Sequence, residues 1–138
     1  MSSTSLDSTL RPSADARRGL VLALRADAAI TGAFGLLLAA ASPLLDGWLG
    51  IDAVLLLALG VALVGYALVL EFVVARRPTP ALVWDVIALN TLWVVASVVA
   101  VVTDVLTPTT LGTVFVLLQA AAVALIADLQ FLALRRER

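Results

Sequence analysis

Four long stretches of this chain carry no charged residue: 28–45, 53–70 and 86–103, each of 18 residues, and 105–127, which has 23. Eighteen helical residues rise about 27 Å, close to the roughly 30 Å hydrocarbon core of a bilayer. Each stretch therefore predicts a membrane-spanning helix. The alternative is a buried helical bundle in water, and composition argues against it: 62% of the residues are hydrophobic, only 14% are charged, and mean hydropathy is +1.10. A soluble domain is about half apolar and about a quarter charged. Four such helices would have no polar face left to show to water.

The chain thus reads as an all-α polytopic membrane protein with helices over about 20–42, 52–75, 80–103 and 108–134. Short connections force neighbouring helices to run antiparallel, so the expected fold is an antiparallel four-helix bundle occupying residues 14–138. Residues 1–13, rich in Ser and Thr, bury too little to order themselves and read as a flexible tail. Pro43 is expected to end the first helix, and Thr79-Pro80 and Thr107-Pro108 to open the third and fourth, each as a capping Thr followed by Pro at the first helical position. Trp48, between Gly47 and Gly50, suits the interface at the first outer turn.

The charges are sorted by sign. All nine basic residues are Arg: Arg11, Arg17, Arg18 and Arg25 before or at the start of the first span, Arg76 and Arg77 between the second and third, and Arg135, Arg136 and Arg138 after the fourth. The turns at 42–52 and 104–110 contain none, and carry Asp46, Asp52 and Asp104. The positive-inside rule then places both termini and the central loop in the cytoplasm. Arg without Lys in an Ala/Val/Leu-rich chain suggests a high-GC bacterial genome, so the expected location is the bacterial inner membrane. Arg17-Arg18 ahead of an apolar run also resembles a secretory signal, but Arg25 and Asp27 interrupt the start of the run, which is long enough to span, and cleavage near Ala41 would destroy the repeat described next.

With Asp27 set on Asp85, an offset of 58, the first and third helices begin alike; with an offset of 59, Leu70-Glu71-Phe72 through Arg77 matches Leu129-Gln130-Phe131 through Arg136. Both hairpins start and finish on the same side, so the repeat is parallel, about an axis along the membrane normal. Helix contacts in lipid rest on small residues or hydrogen bonds. Small residues at 28, 32, 35 and 39, at 58 and 62, and at 120 and 124 read as packing faces.

Cys and His are absent, which excludes disulfides, thiol chemistry and the usual zinc and haem ligand sets. No nucleophile with a base and no phosphate loop is visible, so neither catalysis nor a cofactor is expected. The arginines are few and membrane orientation accounts for them, so nucleic acid is not an expected partner.

Ionisable residues in spans are costly and ask for a reason. Asp27, Glu71, Asp85 and Asp128 all fall in the inner third of the bilayer, and two readings are open. They are either ion-paired with nearby arginines, Arg25 above all, or they form a vestibule of titrating groups for protons or a cation. Asn90 and Gln119 lie deeper, about 15–16 Å along their helices. Asn90, Trp93 and Ser97 share one helix face; Gln119 and Gln130 share another. Either Asn90 and Gln119 hydrogen-bond across the second hairpin, or they hold the polar head of a buried ligand such as a quinone or lipid.

Val83-Trp84, Val86-Ile87, Asn90, Leu92-Trp93, Ser97, Leu111-Gly112, Phe115-Val116, Gln119-Ala120, Leu129-Gln130 and Leu134-Arg135-Arg136 resemble an uncharacterised group of small four-helix bacterial integral membrane proteins. The resemblance runs from about residue 20 to 136, implies four spans, and carries no activity with it. Size and span count also give a loose likeness to the DoxX-like four-helix proteins. The expected role is a non-catalytic binding or accessory component, its second hairpin holding a hydrophobic ligand or a partner helix. The alternative is an oligomeric proton- or cation-coupled transporter using the four carboxylates. Membrane lipid, a membrane-protein partner or further copies of the chain are the partners in view.

Overall fold

The structure is a computed structural model describing residues 14–138; the tail expected over 1–13 lies outside the described residues. Four helices follow one another: α1 (Ala14–Leu49), α2 (Ala53–Val69, continuing through a π-helical turn Leu70–Val74), α3 (Pro80–Val102) and α4 (Thr110–Arg136). All four are long and apolar enough to cross a membrane. The chain is a multi-pass membrane protein with an all-helical bundle fold.

The helix ends follow local chemistry. Asp52 caps α2, its carboxylate accepting from the backbone N–H groups of Val54 and Leu55 at 3.0 and 3.1 Å. Thr79 caps α3, with Pro80 at the first helical position as expected. At α4 the cap is Thr109 and not Thr107. Thr107 has a left-handed φ of 42°, and Thr109 is tied to the end of α1: its N–H donates to the Leu49 carbonyl at 2.9 Å and its hydroxyl to the Trp48 carbonyl at 2.7 Å. That tie sets where α4 can start.

Pro43 does not end α1, which runs through it to Leu49. Proline removes the N–H that would bond the Ala39 carbonyl, one turn back. Ser42 supplies the missing donor, its hydroxyl meeting that carbonyl at 3.2 Å. Side-chain hydroxyls commonly rescue prolines in spanning helices in this way. At 36 residues α1 is about 54 Å long and extends well beyond the hydrocarbon core.

Polarity is inverted relative to a water-soluble bundle. The outer faces carry Val54, 72% exposed, and Leu118, 66% exposed, while Asp27 is 1% and Gln130 0% exposed. The apolar core is split in two. One cluster, around Leu20, Leu24, Leu70, Val83, Ile87 and Leu134, lies at the arginine-bearing end; the other, around Leu38, Leu49, Leu56 and Val116 with Phe34 stacked on Phe115 at 5.5 Å, lies at the opposite end.

α1 and α2 cross at glycine. A methyl group on Gly60 would sit 2.6 Å from both the Gly35 carbonyl and the Ala39 nitrogen, so only hydrogen fits there. The small-residue face of α1 is as expected, with Ala28 and Gly35 buried, but on α2 the close residues are Gly60 and Ala67, while Ala58 and Ala62 turn away. Gly112 plays a similar part on α4, where any side chain would collide with the Leu49 carbonyl.

The two hairpins repeat in three dimensions, each one residue out of step with the sequence match. The order of buried, half-buried and exposed positions over 53–70 recurs unchanged over 113–130, an offset of 60, and that over 24–30 recurs over 83–89, an offset of 59. A shift of one residue rotates a helical side chain by about 100°. Val86, not Asp85, therefore occupies the place of Asp27, and Gln130 occupies that of Leu70. Beyond the π turn the offset becomes 59 as expected: Arg76 lies over Phe72 at 5.1 Å and Arg135 over Phe131 at 5.7 Å. A π turn absorbs one extra residue, which accounts for the change of offset.

Candidate ligand-binding site

Apart from Ser42, the inward-facing polar side chains among the described residues form two groups, one above the other. The first joins four helices around Asp27. Its Oδ2 accepts from Asn90 Nδ2 at 3.0 Å and from Gln130 Nε2 at 2.6 Å, and its Oδ1 accepts from the Thr31 hydroxyl at 2.9 Å, one turn along α1. Asn90 Nδ2 also donates to Gln130 Oε1 at 3.1 Å, and the Tyr66 hydroxyl of α2 donates to Asn90 Oδ1 at 3.4 Å. A buried carboxylate without a cation is tolerable only when its lone pairs are taken up by donors. Here three neutral donors do so.

The second group lies between α3 and α4. Trp93 Nε1 donates to Gln119 Oε1 at 2.8 Å, and Gln119 Nε2 donates to the Ser97 hydroxyl at 3.0 Å. The spacing of Asn90, Trp93 and Ser97 does put them on one face, but Asn90 and Gln119 do not bond each other. Asn90 is drawn instead to the carboxylate of α1, a stronger acceptor than a neutral amide.

The four carboxylates read from the sequence do not meet. Asp85 and Asp128 are exposed on the outer faces of α3 and α4, and Glu71 is half-buried beside Arg25, 3.5 Å from its guanidinium. Among the described residues no three acidic side chains converge. Arg25 thus pairs with Glu71 and leaves Asp27 to the amides. Tyr66 and Thr31 were not singled out in the sequence. The signal was there: Tyr66 is the only tyrosine, set in an otherwise apolar run, and Thr31 stands one helical turn after Asp27.

Between the two groups is a cavity of about 480 Å³. Thr31, Tyr66, Asn90, Trp93 and Gln119 supply its polar atoms, and Ile30, Phe34, Leu63, Leu89, Leu92 and Ile126 are among its apolar walls. Its position follows from a break in the repeat. α1 packs along α2 and along α4, and α3 packs along α4. The two-fold relation of the hairpins turns the α1–α4 seam into an α3–α2 seam, yet α2 and α3 make no comparable packed contact. The cavity occupies that open seam.

Fold and site together define a four-span membrane protein with an internal polar network and an interhelical cavity. Neither a protein-family model, nor a curated protein, nor a solved structure matches the chain.

Proposed function

We propose that this protein is a non-catalytic membrane-embedded binding protein that holds one hydrophobic or amphiphilic small molecule between α2 and α3. The observation that carries the reading is the open seam: two repeated hairpins close one of their two equivalent contacts and leave the other as a cavity edged with polar side chains. A volume of about 480 Å³ falls within the roughly 300–1,000 Å³ of small-molecule sites. A helix about 10 Å across fills about 420 Å³ in a single turn. The space therefore suits a small molecule better than a partner helix. The arginine distribution supports insertion in a bacterial inner membrane with the arginine-bearing end in the cytoplasm.

Native mass spectrometry of gently extracted protein tests this. A stoichiometric small-molecule adduct is expected, absent from the Asn90→Leu/Gln119→Leu variant and from Ala96→Phe, which puts a ring on the α3 wall of the cavity that Ala96 lines. A bare protein that takes up no added amphiphile sinks the proposal.

Asp27 favours a second reading, a proton- or cation-coupled transporter. It is a carboxylate inside the bundle held by amides rather than by an arginine, and ionisable residues in that setting often mark ion pathways. Flux in liposomes that is lost in Asp27→Asn, while Asp85→Asn leaves it intact, would select this reading.

A further inference from the structure

We propose that the end of the cavity lined by Thr31, Tyr66 and Asn90 selects a neutral amphiphile whose polar end donates a hydrogen bond, an alcohol-type head group, in preference to one that can only accept. The opposite end, where Gln119 gives one amide hydrogen to Ser97 and keeps the other, does not impose that polarity. The inference rests on the reading of the cavity as a ligand site, and names the class of ligand it takes.

The direction of each bond in the network follows from Asp27. A carboxylate accepts only, so the groups facing it must present N–H or O–H. Asn90 therefore turns its Nδ2 to Asp27, and gives the second hydrogen of that nitrogen to Gln130 Oε1. Its carbonyl is left facing Tyr66, which must donate. Thr31 likewise spends its one proton on Asp27. A hydroxyl has one proton and two lone pairs. Thr31 and Tyr66 both line the cavity, and both have only lone pairs left to offer it. The amide hydrogens of Asn90, the third polar residue at this end, are also spent.

This end of the cavity is therefore an acceptor surface with no donor in it. Asp27 enforces that polarity without lining the cavity itself. A carbonyl, ether or ester oxygen placed there would meet lone pair against lone pair and lose its hydration without replacement. A hydroxyl would find two acceptors. Among the described residues no charged side chain lines the cavity, so an anionic phosphate or carboxylate head finds no partner among them and lies near the Asp27 charge. The apolar walls from Ile30 to Ile126 accept the chain or ring behind the head group.

The test compares decan-1-ol with its own methyl ether, which keeps the tail and the oxygen but lacks the proton. The full chain is reconstituted in lipid nanodiscs as a Trp48→Phe/Trp84→Phe variant, so that emission reports Trp93, a residue of the cavity wall. The alcohol is expected to bind about ten-fold more tightly than the ether, the worth of one or two hydrogen bonds. Tyr66→Phe with Thr31→Val should bring the alcohol-to-ether ratio close to one, because it removes both the acceptors that favour the alcohol and the lone pairs that penalise the ether. Equal binding of the two probes to the parent protein overturns the inference while leaving the cavity a ligand site. Binding of neither overturns the ligand site along with it. Should the double variant fail to fold, the alcohol-to-ether ratio of the parent protein decides the matter alone.

Discussion

Asn90 on α3 donates to Asp27 on α1 across 3.0 Å, joining two residues 63 positions apart in the chain and the first hairpin to the second. Gln130 on α4 reinforces the same carboxylate oxygen at 2.6 Å. Lipid gives helices little reason to hide apolar surface from one another, so a buried hydrogen-bond junction of this kind contributes specifically to which helices meet.

Replacing Asn90 by Leu leaves the buried Asp27 carboxylate one donor short, with Gln130 and Thr31 still bonded to it. The variant is expected to lose about 2–3 kcal/mol of stability in reversible SDS unfolding, since hydrogen bonds to charged groups are worth about 1.5–3 kcal/mol. The Asp27→Leu/Asn90→Leu pair should lose less than the sum of the two single variants, because both singles break the same hydrogen bond and the pair breaks it once. Arg25→Ala, which breaks only the half-exposed pair with Glu71, should cost under about 1 kcal/mol. Equal losses in Asn90→Leu and Arg25→Ala would argue against the buried network.

Gly60 and Gly65 stand on the same helix in opposite circumstances. A methyl at Gly60 would press on the α1 backbone at 2.6 Å, whereas one at Gly65 meets nothing within 4 Å. Gly60→Ala is therefore expected to lower the thermal unfolding midpoint. Gly65→Ala should leave it unchanged or raise it, alanine being about 1 kcal/mol better than glycine inside a helix. The comparison reads the α1–α2 crossing directly.

Trp93 reports on its own hydrogen bond. In the Trp48→Phe/Trp84→Phe background, Gln119→Leu removes the acceptor of the indole N–H and the donor to Ser97. Emission should move to shorter wavelength as the ring loses its polar partner. An unmoved spectrum would mean that the indole is not held by Gln119.

The chain has no cysteine, so single introduced cysteines report sidedness cleanly. Gly47→Cys, near the end of α1 remote from the arginines, is expected to react with an impermeant maleimide added to intact cells. Arg77→Cys and Glu137→Cys should react only after the membrane is opened. The opposite pattern would reverse the orientation inferred from the arginines.

Much of the fold was legible in the sequence, because an uncharged run of 18 residues has few ways to exist outside a bilayer. The spans expected at 52–75 and 80–103 agree closely with α2 through its π turn and with α3. Members of the polar groups were legible too: Asn90, Gln119 and Gln130 stood out as polar residues in apolar text, and each takes part in a hydrogen-bond group. Facing was not. The sequence matched Asp27 with Asp85, but one is buried in a network and the other exposed, since a helix turns about 100° per residue and apolar repeats slide past one another without penalty in a sequence comparison.

Only the tertiary structure decided which polar group meets which. It replaced the expected pair of Asn90 and Gln119 by Asn90 with Asp27, carried α1 through Pro43 by way of the Ser42 hydroxyl, and brought in Tyr66 and Thr31. It also left the α2–α3 seam open where the repeat would have closed it. Local chemistry determines how long each helix is and how deep each side chain lies. Partner choice depends on the rotation of four helices about their own axes, and that is settled by contacts such as Gly60 against Gly35, made between residues far apart in the chain.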